Sequence, residues 1–446
     1  MKKLLSEIVK EVTPTKKEHA AELEIVRKII DLLKAYDVKP ILVGSLEKGT
    51  DLSGNKDIDV FMKFPPSVGR EELEKKALAI GKTVFKKLKS KYEIDYAEHP
   101  YVKGFYSGYD VEIVPCYDGG KIISSVDRTP LHTKYVKKKI KASKKFHGDI
   151  RLLKQFMKGR GVYGAEAKVE GFSGYLVELL VIHYKSFASV LKAASQWSIP
   201  EIIDVEKQWD DPASLKYLFT QACLIVIDPV DKNRNVAAAV SKEKLSKFII
   251  SSEEFLKKPA REFFFPKDTK PKTTKELAKK IGGRRTKFLA LVLKHKKLNE
   301  NTLYSQLKKT IKSMADEVEC KEFKVFNHTY WTNELDTSII MLEMEVWSLP
   351  DIRHHQGPPV DMDPENQEKF LAKYSKEKPY MKDGRWVVDT ERIVKDAKKL
   401  LPTIIEERKG FGKNLREVKN ITILEDEEIL EVRDAGWHKH LTEYLR

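Results

Sequence analysis

Asp57 and Asp59 lie in the run Asp57-Ile58-Asp59-Val60-Phe61-Met62, which begins twelve positions after Ser45 of Gly44-Ser45. Alternation of acid and apolar residue has the period of a strand, so both carboxylates leave one face of an element whose other side chains are apolar. Like charges that close repel unless a cation lies between them. Oxygen-only donors suit Mg²⁺, which takes one or two protein carboxylates together with substrate phosphates. Paired metals clamp both oxygens of an in-line phosphoryl displacement, so the run reads as part of a nucleotidyl-transfer site.

A third acid comes from Tyr109-Asp110-Val111-Glu112-Ile113-Val114-Pro115, again at strand period. Asp110 and Glu112 share a face, and periodicity does not choose between them. No side chain stands out as a covalent nucleophile, which favours direct displacement.

With 446 residues the chain has room for two or three domains. Its net charge of +16 is uneven. Residues 134–160 carry eleven Lys/Arg against Asp149, and residues 267–297 carry twelve against Asp268 and Glu276. Tyr135, Phe146, Phe156 and Phe288 are interleaved, as on a surface that tracks a polyanion. Cys116, Cys223 and Cys320 stand far apart with no C-x-x-C pair, which excludes a disulfide framework and a zinc ribbon. The start, Met-Lys-Lys-Leu-Leu-Ser-Glu, lacks a long apolar core, and no 18-residue apolar run occurs. A cytoplasmic protein that uses no membrane is expected.

Thr15-Lys16-Lys17-Glu18 predicts a capping box and a helix to about Tyr36. A strand at 41–43, a short helix from Ser45, strands at 58–64, 93–98 and 109–114 and a helix over 71–91 complete a small α/β unit. From Leu131 to Lys258 the pattern is helical, and Lys257-Lys258-Pro259 with Phe263-Phe264-Phe265-Pro266 marks a junction. Strand-like runs at 286–292, 322–329 and 338–346 with a helix at 298–315 predict a C-terminal α+β module of two helices on an antiparallel sheet. Segment 351–386 reads as an arm or insertion, irregular at its start.

Longer words narrow the reading. Gly44-Ser45, Asp57-Ile58-Asp59 and Val111-Glu112-Ile113-Val114-Pro115 resemble the signature of the polymerase-beta type nucleotidyltransferase superfamily. Tyr96-Ala97-Glu98-His99-Pro100-Tyr101, Val126-Asp127-Arg128-Thr129-Pro130, Val162-Tyr163-Gly164-Ala165-Glu166, Gly171-Phe172-Ser173-Gly174-Tyr175-Leu176 and Asp228-Pro229-Val230-Asp231 with Arg234-Asn235-Val236-Ala237 go further. Together they resemble the archaeal, class I CCA-adding enzymes from about residue 20 to 240, with weaker echoes beyond.

The resemblance implies a multidomain α+β chain. Its parts are a nucleotidyltransferase palm with a mixed sheet (1–145), a helical neck completing the nucleotide pocket (146–258) and an RRM-like tRNA-binding body with a tail (259–446). It implies addition or repair of the tRNA 3′ CCA end from CTP and ATP without a nucleic-acid template, with two Mg²⁺ ions and a tendency to homodimerise. By position, Asp57, Asp59 and Glu112 hold the metals, and Ser45 and Lys48 meet the triphosphate. His132, Lys154 and Tyr163 contact phosphates and sugar, while Arg234 reads the base. Relatives often carry Glu at Asp57, Asp at Glu112 and Arg at Lys48. A lysine keeps the charge but loses the planar fork that grips phosphate oxygens in pairs, so nucleotide binding is expected to be weaker, and Lys48→Arg to lower the Michaelis constants for ATP and CTP. A poly(A) polymerase or oligoadenylate synthetase shares the acids but uses ATP alone. An aminoglycoside-type transferase gives no reason for the basic tracts, and a non-catalytic RNA-binding scaffold gives none for an intact acidic triad.

Three short matches carry less. Gly159-Arg160-Gly161-Val162-Tyr163-Gly164 fits G-x-G-x-x-G but follows a helical run, so it is a loop and not a dinucleotide fingerprint. His354-His355 has no accompanying metal-ligand spacing. Gly410-Phe411-Gly412-Lys413-Asn414 reads either as a phosphate-facing turn or as an ordinary one, and His99 as a site-side or tRNA contact.

Overall fold

The computed structural model describes residues 1–96, 98–143 and 145–446. Ala97 of the Tyr96–Tyr101 word and Lys144 of the first basic tract lie outside them. After α1 (Lys2–Val12), the capping box forms as expected. Thr15 Oγ1 accepts from Glu18 N at 3.2 Å and Glu18 Oε2 accepts from Thr15 N at 2.7 Å, starting α2 (Lys16–Leu33). Hydrogen bonds from the Thr15 backbone and side chain, then from the Ser53 hydroxyl, hold the Glu18 carboxyl at about 2, well below its ordinary range.

The head then runs β1 (Lys39–Leu42), α3 (Gly44–Lys48), β2 (Asp57–Phe64), α4 (Arg70–Lys87), β3 (Tyr92–Tyr96), β4 (Pro100–Tyr106) and β5 (Tyr109–Tyr117). Strand β4 was not foreseen. The sheet order is β1-β2-β5-β4-β3, with β2 and β5 parallel and the other pairs antiparallel, so the sheet is mixed. Alternation sorts its faces. Ile58, Val60, Met62, Val111 and Ile113 are buried in one core with Ile29 and Leu33 of α2 and Leu73, Ala77 and Val84 of α4. Asp57, Asp59, Asp110 and Glu112 leave the opposite face.

The segment continues through α5 (Arg128–Ile140), α6 (Lys145–Gly159), α7 (Gly174–Tyr184) and α8 (Phe187–Ala194). It is not purely helical as expected: β6 (Glu201–Asp204), α9 (Leu215–Leu218), β7 (Leu224–Asp228) and β8 (Asp231–Asn235) follow before α10 (Lys242–Lys257). The three strands form a sheet of order β6-β7-β8. Phe156 of α6 centres the core, its ring 5.5–6.3 Å from those of Phe187, Phe248, Phe255, Phe263 and Phe264.

Two compact units result, Met1–Lys267 and Asp268–Arg446. The division falls beyond the anticipated 258/259 junction because Phe264 belongs to the α6 core. Gly159 permits this approach: a Cβ there would meet the carbonyls of Phe263 and Phe264.

The second unit contains α11 (Thr274–Arg284), β9 (Lys287–Lys294), α12 (Glu300–Glu319), β10 (Lys324–Thr332), β11 (Thr337–Val346), β12 (Ile352–Pro359), α13 (Pro364–Lys373), β13 (Tyr380–Lys382), β14 (Arg385–Glu391), α14 (Leu401–Glu407), β15 (Asn420–Glu425) and α15 (Ala435–Tyr444). Its main sheet, β10-β11-β9-β15, is antiparallel. Leu303, Leu307 and Ile311 of α12 pack on one face, and Leu277 of α11 with Trp437 and Leu441 of α15 on the other. The segment expected to begin irregularly forms instead a second sheet, β12-β14-β13. The three cysteines are free.

Candidate active site

Strand register places both candidates for the third acid beside the β2 pair. Asp57 pairs with Asp110 and Asp59 with Glu112 across the parallel β2–β5 ladder, so all four carboxylates share a face. Glu112 is the one beside Asp59. Burial, followed by the charges of Glu112 and Asp57, pushes the Asp59 carboxyl up to about 7. Burial also raises Glu112, which Lys103 opposes from β4 with Nζ 3.6 Å from Oε1. Tyr101 donates its hydroxyl to Glu112 Oε1 at 3.4 Å and to Asp95 Oδ2 at 3.3 Å.

Helix α3 closes on this row. Val43 N donates to Asp59 O at 3.0 Å, and Gly44 takes φ +75°. A Cβ at Gly44 would overlap Asp59 Oδ2 and stand 3.1 Å from its Cγ, so only glycine lets the turn meet the carboxylate. Ser45, the next residue, is half-buried.

Lys48 and Lys154 come together on a partner that the sequence reading missed. Lys48 Nζ donates to Glu178 Oε2 at 2.6 Å, while Lys154 Nζ lies 3.5 Å from Oε1 and donates to Thr50 O at 2.9 Å and Thr50 Oγ1 at 3.2 Å. Glu178 is 0 % and Lys154 2 % exposed. Burial lowers both lysines; it opposes ionisation of Glu178 too, but the two ammoniums and their hydrogen bonds hold that carboxyl below its ordinary range. The available signal was one acid in the apolar helix Gly174–Tyr184. Tyr163 lies at the same place: a Cβ on Gly174 would be 3.0 Å from its hydroxyl and 3.8 Å from Lys154 Nζ. Burial, Glu178 and Asp57 raise its phenol, and Lys158 Nζ stands 5.7 Å from its ring.

His132 and Arg234 meet on a second missed acid. Asp228 Oδ2 accepts from His132 Nε2 and Arg234 Nη1, both at 2.8 Å, and Oδ1 from Tyr175 OH and Val230 N, both at 3.1 Å. The His132 ring stacks on Tyr175 at 3.8 Å. Arg234 therefore does not pair with Asp231, three residues earlier, which takes Arg128 Nε at 2.9 Å instead. The Arg234 side chain keeps 36 % exposure and lines a cavity of about 590 Å³ with Arg128, Ser173, Phe219 and Asn233.

The short matches resolve as well. Residues 160–164 follow α6 as a loop. His354 Nδ1 pairs with Asp389 Oδ1 at 2.6 Å, and His355 packs on Phe370 and Tyr374, so the two do not converge on a metal. Gly412 N donates to Thr310 Oγ1 and Asn414 N to Gln306 Oε1, so these two amides are used inside the fold, while Lys413 is exposed. His99 is 1 % exposed and bonded to Glu74 Oε1 at 3.0 Å, which removes it as a tRNA contact.

Among the described residues no three His, Cys, Asp or Glu side chains close on a single point. The row nonetheless fits a hard divalent cation: its donors are all oxygen, and burial together with the charges of Glu112 and Asp57 opposes ionisation of Asp59, a cost that a cation removes.

Family models match the chain in three consecutive stretches: a nucleotidyltransferase domain over residues 23–147, the second domain of tRNA nucleotidyltransferase over 148–265 and the C-terminal domain of the CCA-adding enzyme over 284–426. The mixed sheet and its acid row thus define a nucleotidyltransferase, a class that implies a divalent metal requirement. A CCA-adding enzyme of Methanothermobacter thermautotrophicus is 34 % identical over 96 % of this chain and 97 % of its own length. Those of Methanosarcina acetivorans (97 % and 94 %) and Methanocaldococcus jannaschii (98 % and 97 %) are each 36 % identical. The chain belongs to the archaeal CCA-adding enzyme family.

Proposed function

We propose that the chain adds or repairs the 3′-terminal CCA of tRNA, taking CTP twice and then ATP, with no nucleic-acid template. The observation that carries this is the parallel register of Asp57-x-Asp59 with Glu112, closed by the Gly44–Lys48 turn. The tRNA 3′ oxygen attacks the α-phosphorus of the nucleotide, one phosphodiester bond forms, and the bond to pyrophosphate breaks. Asp57, Asp59 and Glu112 would hold the divalent ions, two Mg²⁺ in this reading. When bound, such ions lower the cost of ionising the attacking hydroxyl and offset the charge of the leaving pyrophosphate. Ser45, Lys48 and Lys154 face the triphosphate, and His132 and Tyr163 orient phosphates and sugar. Arg234 reads the base beside its cavity, since a guanidinium offers a planar set of donors to a base edge.

In this reading residues 1–145 are the catalytic head, the segment from 146 to the division after Lys267 is the neck that completes the pocket, and the remainder is the tRNA-binding body and tail. The reading extends to a cytoplasmic homodimer; no helix among the described residues is by itself long and apolar enough to cross a membrane. Incubating the protein with tRNA lacking CCA, CTP, ATP and Mg²⁺ and sequencing the products tests the function. Ends extended by C, CC and CCA are expected. A tail of A alone makes the chain a poly(A)-type polymerase, and a tRNA complex without incorporation makes it a binding scaffold.

A further inference from the structure

Helix α7 buries seven residues in succession, Leu176 to Ile182, and Glu178 is the one ionisable group among them. A carboxylate shut away from water is retained only against cations and donors that replace its hydration. Its two oxygens divide the work. Oε2 takes Lys48, from the end of α3, and Oε1 takes Lys154, from α6, together with the Thr50 hydroxyl at 2.6 Å. Lys154 also holds the Thr50 carbonyl, and the Arg151 guanidinium one turn earlier takes the Asp51 carbonyl at 2.7 Å. The turn that closes on Asp59 is thereby tied to two helices of the neck.

The two lysines differ in what else holds them. Lys154 keeps the two oxygens of Thr50 if Glu178 loses its charge. Lys48 has Glu178 as its hydrogen-bond partner and feels Asp59 more distantly. Without the carboxylate, two neighbouring ammoniums repel each other in a poorly hydrated place, and Lys48 is the one free to leave.

We propose that Glu178 is a positioning residue of the nucleotide site, drawing Lys48 of the head and Lys154 of the neck onto one carboxylate so that both meet the same triphosphate. The proposal rests on the nucleotidyl-transfer reading of this site. It concerns binding in ground and transition state alike, because the non-reacting phosphates keep their charge throughout, so its mark is on KM and not on kcat.

The test is steady-state incorporation of CMP and AMP by the full chain on tRNA lacking CCA. Glu178→Gln should raise KM for both CTP and ATP about tenfold, leave kcat within about threefold, and weaken inhibition by added pyrophosphate by the same factor as KM. Glu178→Asp, which keeps the charge on a shorter arm, should recover part of the loss. Leu180→Ala, on the same buried helix, should lower the melting temperature and leave KM unchanged. If Glu178→Gln does not fold, Thr50→Val serves as the second variant, with a smaller rise in both KM values. Unchanged KM in the folded variants, or the same rise in Leu180→Ala, overturns the proposal. A wild-type chain that incorporates neither nucleotide overturns the functional reading instead, so the two failures are distinguishable.

Discussion

Gly44→Ala isolates the contact that closes the site. The left-handed backbone at φ +75° costs an alanine roughly 1 kcal/mol. The added Cβ also overlaps Asp59 Oδ2, and the gap cannot open freely because Val43 N is bonded to Asp59 O. Losing or stretching that bond adds about 1 kcal/mol, so the variant should melt some 4–8 °C lower. The larger effect is on rate. Relief of the overlap displaces either the Asp59 carboxylate or the Ser45–Lys48 turn by on the order of 1 Å, and a misplacement of that size costs about 10²-fold. Gly54→Ala is the internal control, since Gly54 has φ +74° with no atom within 4 Å of its added Cβ. It should show only the backbone part of the stability loss, about 1 kcal/mol, and keep its rate. Single-turnover incorporation of labelled CMP at saturating CTP, alongside thermal melts, separates the two variants. A Gly44→Ala rate within threefold of wild type refutes the argument.

Asp59→Asn should reduce transfer at least ~10³-fold with tRNA affinity nearly intact; substantial activity at saturating Mg²⁺ removes Asp59 from the mechanism. Glu22 faces Glu18 and His19 on its own helix, Asp51 and Tyr109, and burial, then Asp51 and Glu18, raises its carboxyl from 4.5 to about 7. The protonated form is favoured in the fold, so its stabilising contribution is full below pH 4.5 and lost as pH rises through about 7. Glu22→Gln should therefore stabilise the protein at pH 8 by about 2 kcal/mol and have little effect at pH 4.5, as read from melts at the two pH values. Glu343, 0 % exposed, takes two bonds from Arg284 and one each from Thr286 and Tyr444. Glu343→Gln should destabilise the second unit by roughly 3 kcal/mol in denaturant titrations, whereas an unchanged midpoint makes that network dispensable.

The first two acids were legible because alternation at period two fixes a face regardless of what surrounds it. The third was not, because Asp110 and Glu112 obey the same alternation, and the parallel register sets one beside Asp57 and the other beside Asp59. Glu178 and Asp228 escaped for another reason: their partners lie up to 130 residues away, at Lys48, and no local pattern encodes such a pairing. The sheet β6-β7-β8 was hidden by strands of four and five residues, and Leu224–Ile227 is too short an apolar run to tell a buried strand from a helix turn. Strand β12 was masked by His354-His355-Gln356-Gly357-Pro358-Pro359, a mix of polar residues, glycine and prolines with no apolar–polar alternation. At the 258/259 junction, charge and proline read as linker while Phe264 was already core.

Charge at the assembled site leads to one more consequence. Asp57, Asp59, Glu112 and Glu178 are matched by Lys48, Lys103, Lys154 and Lys158, and Asp95 and Asp110 stand beside them. Each ammonium is already influenced by an acid: Lys48 by Glu178, Lys103 by Glu112, Lys154 by Glu178 and Lys158 by Asp57. A triphosphate brings several further negative charges into surroundings that are neutral to negative. The chain's own cations do not balance them, so nucleotide affinity must depend on cations that arrive with the substrate. CTP titrated onto the protein with a chelator present should bind at least about tenfold more weakly than with Mg²⁺, a difference of about 1.4 kcal/mol. Equal affinities would mean that the lysines suffice, and that the carboxylates serve the chemical step without helping to seat the nucleotide.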